Sequence, residues 1–146
     1  MKIERENFGL SKSKARPIVC VQGLGFVGSA MCIAISGTKK KDSNMFDVIG
    51  LELPTTKGKY RVKSINEGNF PFSSTDKSIE IGLKKARRRN NLVATSDPRA
   101  IELAKIIIID INLDINFKKN PAEADLKTFS LAIKTIGKYL QPKSLV

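Results

Sequence analysis

Short apolar runs alternate with amphipathic segments along this chain. The runs have the length of strands, and the segments between them repeat apolar residues at intervals of three or four, as helices do. Strands are predicted at residues 17–22, 46–51, 92–94 and 106–111, with a fifth opening at 145–146. Helices are predicted at residues 29–35, 60–65 and 126–140, after Asp76, and after Asp97-Pro98.

The order of these elements predicts the fold class. Strands that alternate with helices favour a parallel sheet covered on both faces, so we expect an α/β, three-layer αβα domain of the doubly wound Rossmann type. The run at 106–111 is apolar on both faces and predicts a central strand. Apolar spacing predicts two buried helix stripes. They are Val27, Ala30, Met31 and Ala34 in the first helix, and Phe129, Ala132, Ile133, Ile136 and Leu140 in the last.

Chain length limits the number of domains. A chain of 146 residues suits one domain and is too short for a cofactor domain with a separate substrate domain. Residues 1–15 are interpreted as a polar, poorly ordered extension, and residues 16–146 as the domain. The end of the chain in an opening strand favours a truncated protein over a finished module.

A glycine-rich turn joins the first predicted strand to the first helix. Gly23 allows a tight exit from the strand, Gly25 lets a pyrophosphate approach the backbone, and Gly28 lets the helix pack close to the strand. The free N–H groups and the dipole at the helix start then favour a bound phosphate. The expected cofactor-binding residues of this turn are Gly23, Leu24, Gly25, Phe26, Val27 and Gly28.

An acidic residue at the end of the second strand completes the dinucleotide-binding pattern. Glu52 follows the strand at 46–51, close to the expected interval of about 20 residues after the glycines. A carboxylate there accepts hydrogen bonds from the adenosine ribose and repels the 2′-phosphate of NADP. Glu52 therefore favours NAD as the cofactor. The alternative is that the glycines only form a turn and that Glu52 only ends a strand.

Composition excludes several other classes of function and ligand. The net charge of +12 suits a phosphate-bearing ligand or a lysine-rich surface, and no aromatic residues interleave the basic clusters, so we expect no nucleic-acid partner. The chain has no histidine, and we expect no metal site. Cys20 and Cys32 are interpreted as buried apolar residues in a reducing compartment. Without a signal or membrane segment, a soluble cytoplasmic protein with no membrane partner is expected.

Several segments in sequence order resemble one enzyme family. Residues 21–28, Val-Gln-Gly-Leu-Gly-Phe-Val-Gly, resemble the opening motif of UDP-glucose and GDP-mannose dehydrogenases. Residues 46–52 are similar to their second strand, although the family's acid is usually Asp. Similarity continues at residues 65–68, 91–97, 104–111 and 126–146. The resemblance implies a domain for oxidation of a nucleotide-sugar C6 alcohol, such as that of a UDP-sugar, to the uronic acid in polysaccharide biosynthesis, with reduction of two NAD.

The chain also departs from this family's pattern. Asn112-Leu113 stands where the family has Pro-Thr, and residues 70–75 match the family's proline-rich loop only in part. Asn112 is kept among the expected cofactor-binding residues. Neither Cys20 nor Cys32 matches the family's nucleophile motif, so we assign no catalytic residue and expect this chain alone to be inactive. The nucleotide-sugar substrate is expected to bind only with a further domain.

Two other functions are weighed against this interpretation. A stand-alone NAD-binding regulatory module would keep the glycine turn and Glu52 but need no substrate domain. A basic nucleic-acid binder would show strongly salt-dependent binding to DNA, and no motif supports it. An isolated cofactor domain would expose the surface of its missing partner, so marginal stability or self-association into a homo-oligomer is expected.

Overall fold

The computed structural model describes residues 3–12 and 16–146, apart from the side chains of Asp114 and Asp125. The α-helices are α1 (Phe26–Gly37), α2 (Thr56–Glu67), α3 (Lys77–Arg89) and α4 (Lys127–Tyr139). The strands are β1 (Ile18–Gln22), β2 (Lys39–Lys40), β3 (Ser43–Asn44), β4 (Asp47–Leu51), β5 (Leu92–Thr95), β6 (Ala104–Ile109), β7 (Asp114–Asn116) and β8 (Glu123–Asp125). Two 3₁₀ helices cover Arg5–Phe8 and Pro98–Leu103.

The main sheet is parallel. Among the described residues it holds four strands in the order β5-β4-β1-β6, and Leu145 adds one parallel bridge to Ile106 on the outer side of β6. With that bridge the strand order is that of a Rossmann sheet: successive strands are added on one side of β1 and then on its other side. The predicted α/β class is confirmed. At the predicted fifth strand, Leu145 forms an isolated bridge.

Side chains alternate between two apolar layers. Val19 and Val21 of β1 face one layer, where α1, α2 and α3 contribute Cys32, Ile65 and Leu83. Residues of β1 with the opposite parity face the second layer, which α4, the second 3₁₀ helix and the N-terminal segment cover. That layer includes Ile18, Cys20, Leu10, Ile101 and Ile136. Three layers therefore form, because every β1 side chain from 18 to 22 is buried on one face or the other.

Side-chain caps fix the helix starts. Asp76 accepts from Ser78 N at 2.8 Å, and Asp97 accepts from Arg99 N at 3.0 Å, as their positions predict. Thr55 accepts from Gly58 N at 3.0 Å, so α2 begins four residues earlier than the predicted start at 60. Within the described part of the chain, no helix combines the length and the apolar character needed to cross a bilayer.

Two predicted apolar stripes differ from the buried faces. In α1 the buried residues include Cys32 and Ile33, whereas Val27 is 57% exposed. The reason is that α1 is apolar on most sides, so its spacing does not select one face. In α4, Ala132 and Ile136 are buried as predicted, but Ile133 and Leu140 are exposed. A narrow stripe suffices there, since α4 covers only the outer part of its face of the sheet.

The fourth long strand lies at the outer edge of the sheet and not at its centre. In the sheet that the described residues form, the prediction of a central strand at 106–111 is wrong, because β6 pairs fully with β1 and has only the bridge at Leu145 on its other side. Ile106, Ile108 and Ile109 are accordingly only half-buried. The strand also ends at Ile109, so Asp110 and Ile111 lie in the loop beyond it.

The N-terminal segment packs on the domain. The prediction of a poorly ordered extension is wrong for residues 3–12, where a 3₁₀ helix forms and Ile3 and Leu10 are buried. Leu10 joins the apolar layer formed by Ile18, Ile49 and Val93. Residues 1–2 and 13–15, which belong to the same predicted extension, lie outside the described residues.

Candidate functional site

The glycine turn connects β1 to α1 in a conformation that few other residues could adopt. Gly23 has φ +101°, and a Cβ on it would lie 1.9 Å from the carbonyl oxygen of Asp110. Gly28 is equally confined, because its Cβ would lie 1.9 Å from the carbonyl oxygen of Gly23. Gly25 differs, since a Cβ there would meet nothing within 4 Å. Two of the glycines therefore serve packing, and Gly25 leaves open space.

Helix α1 starts beside that open space. Gly25 is its N-cap residue and supplies no side-chain cap. The first N–H groups of a helix lack intrahelical partners, and the helix dipole adds partial positive charge at this end. An anionic group that enters over Gly25 can accept hydrogen bonds from these N–H groups. The described residues thus fit a dinucleotide pyrophosphate at this position.

Glu52 lies next to the turn and is held by three donors. Its Oε2 accepts from Leu24 N at 3.0 Å and from Arg61 Nη1 at 3.0 Å, and its Oε1 accepts from Leu53 N at 2.9 Å. A carboxylate offers about four acceptor positions, so one remains for a ligand hydroxyl. Glu52 therefore fixes the glycine turn and has one acceptor position left.

Arg61 is a residue at this site that the sequence did not reveal. Its guanidinium bonds Glu52 and lies 5.2 Å from the centre of the Phe72 ring. Phe72 packs with Phe70 and with Phe26 at the start of α1, with ring centres 5.4–5.8 Å apart. A loop of aromatic residues thereby holds the arginine beside the acid. The sequence did not single out Arg61 as a site residue because it occurs among several other basic residues of α2.

One cavity of about 650 Å³ brings most of the predicted residues together. Gly23, Gly25, Phe26, Val27, Glu52 and Asn112 all line it. Leu24 and Gly28 do not: the Leu24 side chain is fully buried, so only its N–H reaches Glu52, and Gly28 packs against Gly23. Arg61, Asp110 and residues of α4 complete the wall, so the cavity extends from the acid across the sheet edge to α4.

Both cysteines are buried and unsuited to nucleophilic chemistry. Neither side chain is exposed, and burial raises the pKa of the Cys20 thiol to about 12. Burial, with a smaller contribution from Cys20, also raises the pKa of Cys32. Since the thiolate is the reactive form, almost none of either group is reactive near neutral pH.

We expect both thiols to resist modification in the folded protein. With Ellman's reagent at pH 8, the native chain should release almost no chromophore over minutes, whereas the chain in 6 M guanidinium should react rapidly at two sites. The denatured sample is the control for reagent and thiol content. Rapid native reaction at one site would contradict the burial that raises these pKa values.

Taken together, the sheet order, the glycine turn and the acid define a dinucleotide-binding domain of the Rossmann type. Residues 18–146 match the family model described as the UDP-glucose/GDP-mannose dehydrogenase family, NAD binding domain. The chain belongs to this family, and NAD is the cofactor of the domain. A search of curated proteins finds no match.

Solved structures support the same fold. The NDP-N-acetyl-D-galactosaminuronic acid dehydrogenase of Methanosarcina mazei Go1 superposes with a TM-score of 0.77 at 22% identity, over 99% of this chain and 30% of that one. GDP-mannose dehydrogenase of Pseudomonas aeruginosa gives 0.67 at 23% identity, over 86% and 26%. UDP-glucose dehydrogenase of Pyrobaculum islandicum gives 0.69 at 16% identity, over 92% and 28%. The chain therefore spans at most 30% of these proteins.

Proposed function

We propose that this chain binds NAD as the cofactor-binding part of a nucleotide-sugar dehydrogenase that oxidises the C6 alcohol of a UDP-sugar to the uronic acid. The single observation that carries the binding proposal is that Gly25, with open space above it, and the Glu52 carboxylate line the same cavity. Membership of the family supports the reaction class. The free, buried thiols of Cys20 and Cys32 support a reducing, cytoplasmic setting.

Different residues of the site bind different parts of NAD. The N-terminal N–H groups of α1 bind the pyrophosphate, and Gly25 permits its close approach. The remaining acceptor position of Glu52 takes a hydroxyl of the adenosine ribose. NAD, when bound, supplies the hydride acceptor. Asn112 lines the same cavity and follows β6, so we propose that it contacts the part of the cofactor beyond the pyrophosphate.

The oxidation to the acid needs groups that the described residues do not offer. Formation of a thiohemiacetal requires a reactive thiolate, and the described cysteines are buried with raised pKa values. We therefore propose that this chain binds cofactor but does not complete the reaction by itself. The nucleotide-sugar substrate requires a further domain, as the greater length of the solved relatives suggests.

Glu52→Ala tests the cofactor site. The substitution removes the ribose acceptor and releases Arg61, which can then pair with the 2′-phosphate of NADP. We expect the Kd for NAD to rise by roughly 10-fold or more, as for a hydrogen bond to a charged group, and the preference over NADP to shrink or reverse. Calorimetric titration with NAD and then NADP, at two salt concentrations, measures both.

Glu67→Ala is the matched control. Glu67 is an exposed acid of α2 that forms a surface ion pair with Lys63, at 3.8 Å. Its removal should leave both cofactor affinities unchanged. Equal affinities of the wild type and Glu52→Ala for both cofactors would refute the role of Glu52. Failure of the wild type to bind NAD at all would refute the proposed site.

A further inference from the structure

The last residue of β1 is a buried glutamine whose side chain is not fully bonded. Gln22 is 7% exposed, and its Oε1 is buried with no hydrogen-bond partner among the described residues. It has the same parity as Cys20, so it faces the layer covered by α4 and not the layer of α1. A polar side chain therefore lies next to an apolar layer, at the carboxyl edge of the sheet.

A buried, unpaired amide oxygen is uncommon in native proteins. Such a group loses its hydrogen bonds to water without replacement, so it destabilises the fold that holds it unless a partner arrives. Gln22 lines the same 650 Å³ cavity as Gly25 and Glu52. Oε1 itself is buried, so a molecule that enters this cavity can bring the missing donor once the carboxamide turns toward the cavity.

The position of Gln22 indicates which part of a dinucleotide it meets. Glu52 and the glycine turn take the adenosine ribose and the pyrophosphate on the β4 side of β1. A dinucleotide crosses a Rossmann sheet where the strand order reverses, so its second half lies over β1 and β6. On that side the cavity wall is made by Asn112 and by α4, including Thr128 and Thr135.

We propose that Gln22 is a cofactor-binding residue whose carboxamide accepts a hydrogen bond from the nicotinamide riboside half of NAD. The donor is a hydroxyl of that ribose or the N–H of the nicotinamide amide. This inference rests on the proposed function of the chain. It adds a contact on the β6 side of the site, away from Glu52 on the β4 side.

Gln22→Met tests the assignment because methionine keeps the length and shape of the side chain but cannot accept in this way. We expect the Kd for NAD to rise about 10-fold, which corresponds to about 1.4 kcal/mol, while the Kd for AMP stays unchanged. The free variant should melt no lower than the wild type, since the substitution removes a buried group that lacks a partner. Gln141→Met, at an exposed glutamine outside the cavity, is the control and should change neither affinity.

Three ligands locate the contact. A loss seen for NAD but not for ADP-ribose assigns the nicotinamide amide, and a loss seen for both but not for AMP assigns the ribose hydroxyl. Equal losses for NAD and AMP, an unchanged Kd for NAD, or a clearly lower melting temperature of free Gln22→Met would each overturn the proposal. A wild-type chain that binds AMP and NAD keeps the proposed function even if Gln22 fails, whereas one that binds neither removes both.

Discussion

A methyl group at residue 28 is expected to lower the free energy of unfolding by about 3 kcal/mol. The Cβ of Gly28→Ala would lie 1.9 Å from the carbonyl oxygen of Gly23 and 2.9 Å from Oδ2 of Asp110. The first contact is with backbone, which cannot rotate away, so α1 would have to move off β1. Urea unfolding followed by circular dichroism measures the loss as a lower midpoint.

Gly25→Ala separates binding from stability within the same turn. Its Cβ meets nothing within 4 Å, and its φ of −64° suits any residue, so we expect stability within about 1 kcal/mol of the wild type. The same methyl group would occupy the space above the N-terminus of α1, where the pyrophosphate must approach. We therefore expect the affinity for NAD to fall by roughly 100-fold, as measured by calorimetry.

The pair of variants distinguishes two roles for the glycines. If Gly25→Ala binds NAD as tightly as the wild type, the open space is not the phosphate position and the proposed geometry fails. If Gly28→Ala unfolds at the wild-type urea concentration, α1 and β1 are not packed as closely as the structure shows. Gly37→Ala is a control for both, because a Cβ at Gly37 also meets nothing within 4 Å and lies at the far end of α1.

The glycine turn could be predicted from the sequence because it depends on local geometry. A strand, a tight turn and a helix follow one another within residues 18–37, and every step has a residue signature. Asp76 and Asp97 predict the starts of their helices for the same reason, because each cap accepts from an N–H only two residues away. The distance along the chain is short for the turn and the caps, whereas Glu52, 28 residues from Leu24, was expected from the dinucleotide-binding pattern and not from local geometry.

Contacts between distant segments were not predictable in this way. Arg61 acquires its role only because α2 returns beside the end of β4, and Phe72 stacks on it from the following loop. Gln22 was predicted as the last residue of an apolar strand. Its buried, unbonded Oε1 is a result of tertiary packing, which the strand pattern does not predict. In α1, apolar residues on several faces left the choice of buried face to the packing of α3 against Ile33.

The N-terminal segment is a further case in which contacts between distant residues could not be predicted. A buried ion cluster joins this segment to the start of β4. Asp47, the first residue of β4, is completely buried and accepts hydrogen bonds from the side chains of Arg5 and Arg16. Arg5 also donates to the carbonyl oxygen of Arg16 at 3.3 Å. The polar composition of residues 1–15 predicted disorder because the acid that orders Arg5 lies 42 residues away.

Asp47→Ala is expected to lower the free energy of unfolding by about 3–5 kcal/mol. The substitution leaves two guanidinium groups, each about 15% exposed, beside a cavity and without the carboxylate that compensates them. Loss of the ion cluster should also release the N-terminal segment from the domain. Limited proteolysis should therefore cleave within residues 3–12 faster than in the wild type. Urea unfolding and the proteolysis rate together measure the effect.

Glu123→Ala provides the comparison that makes this result specific. Glu123 also forms an ion pair, with Lys119 at 2.6 Å, but both side chains are more than half exposed. Solvent screens such a pair, so its loss should change stability by less than about 1 kcal/mol and leave proteolysis of residues 3–12 unchanged. Similar losses for Asp47→Ala and Glu123→Ala would mean that burial adds nothing to the cluster, and that Arg5 does not anchor the N-terminal segment.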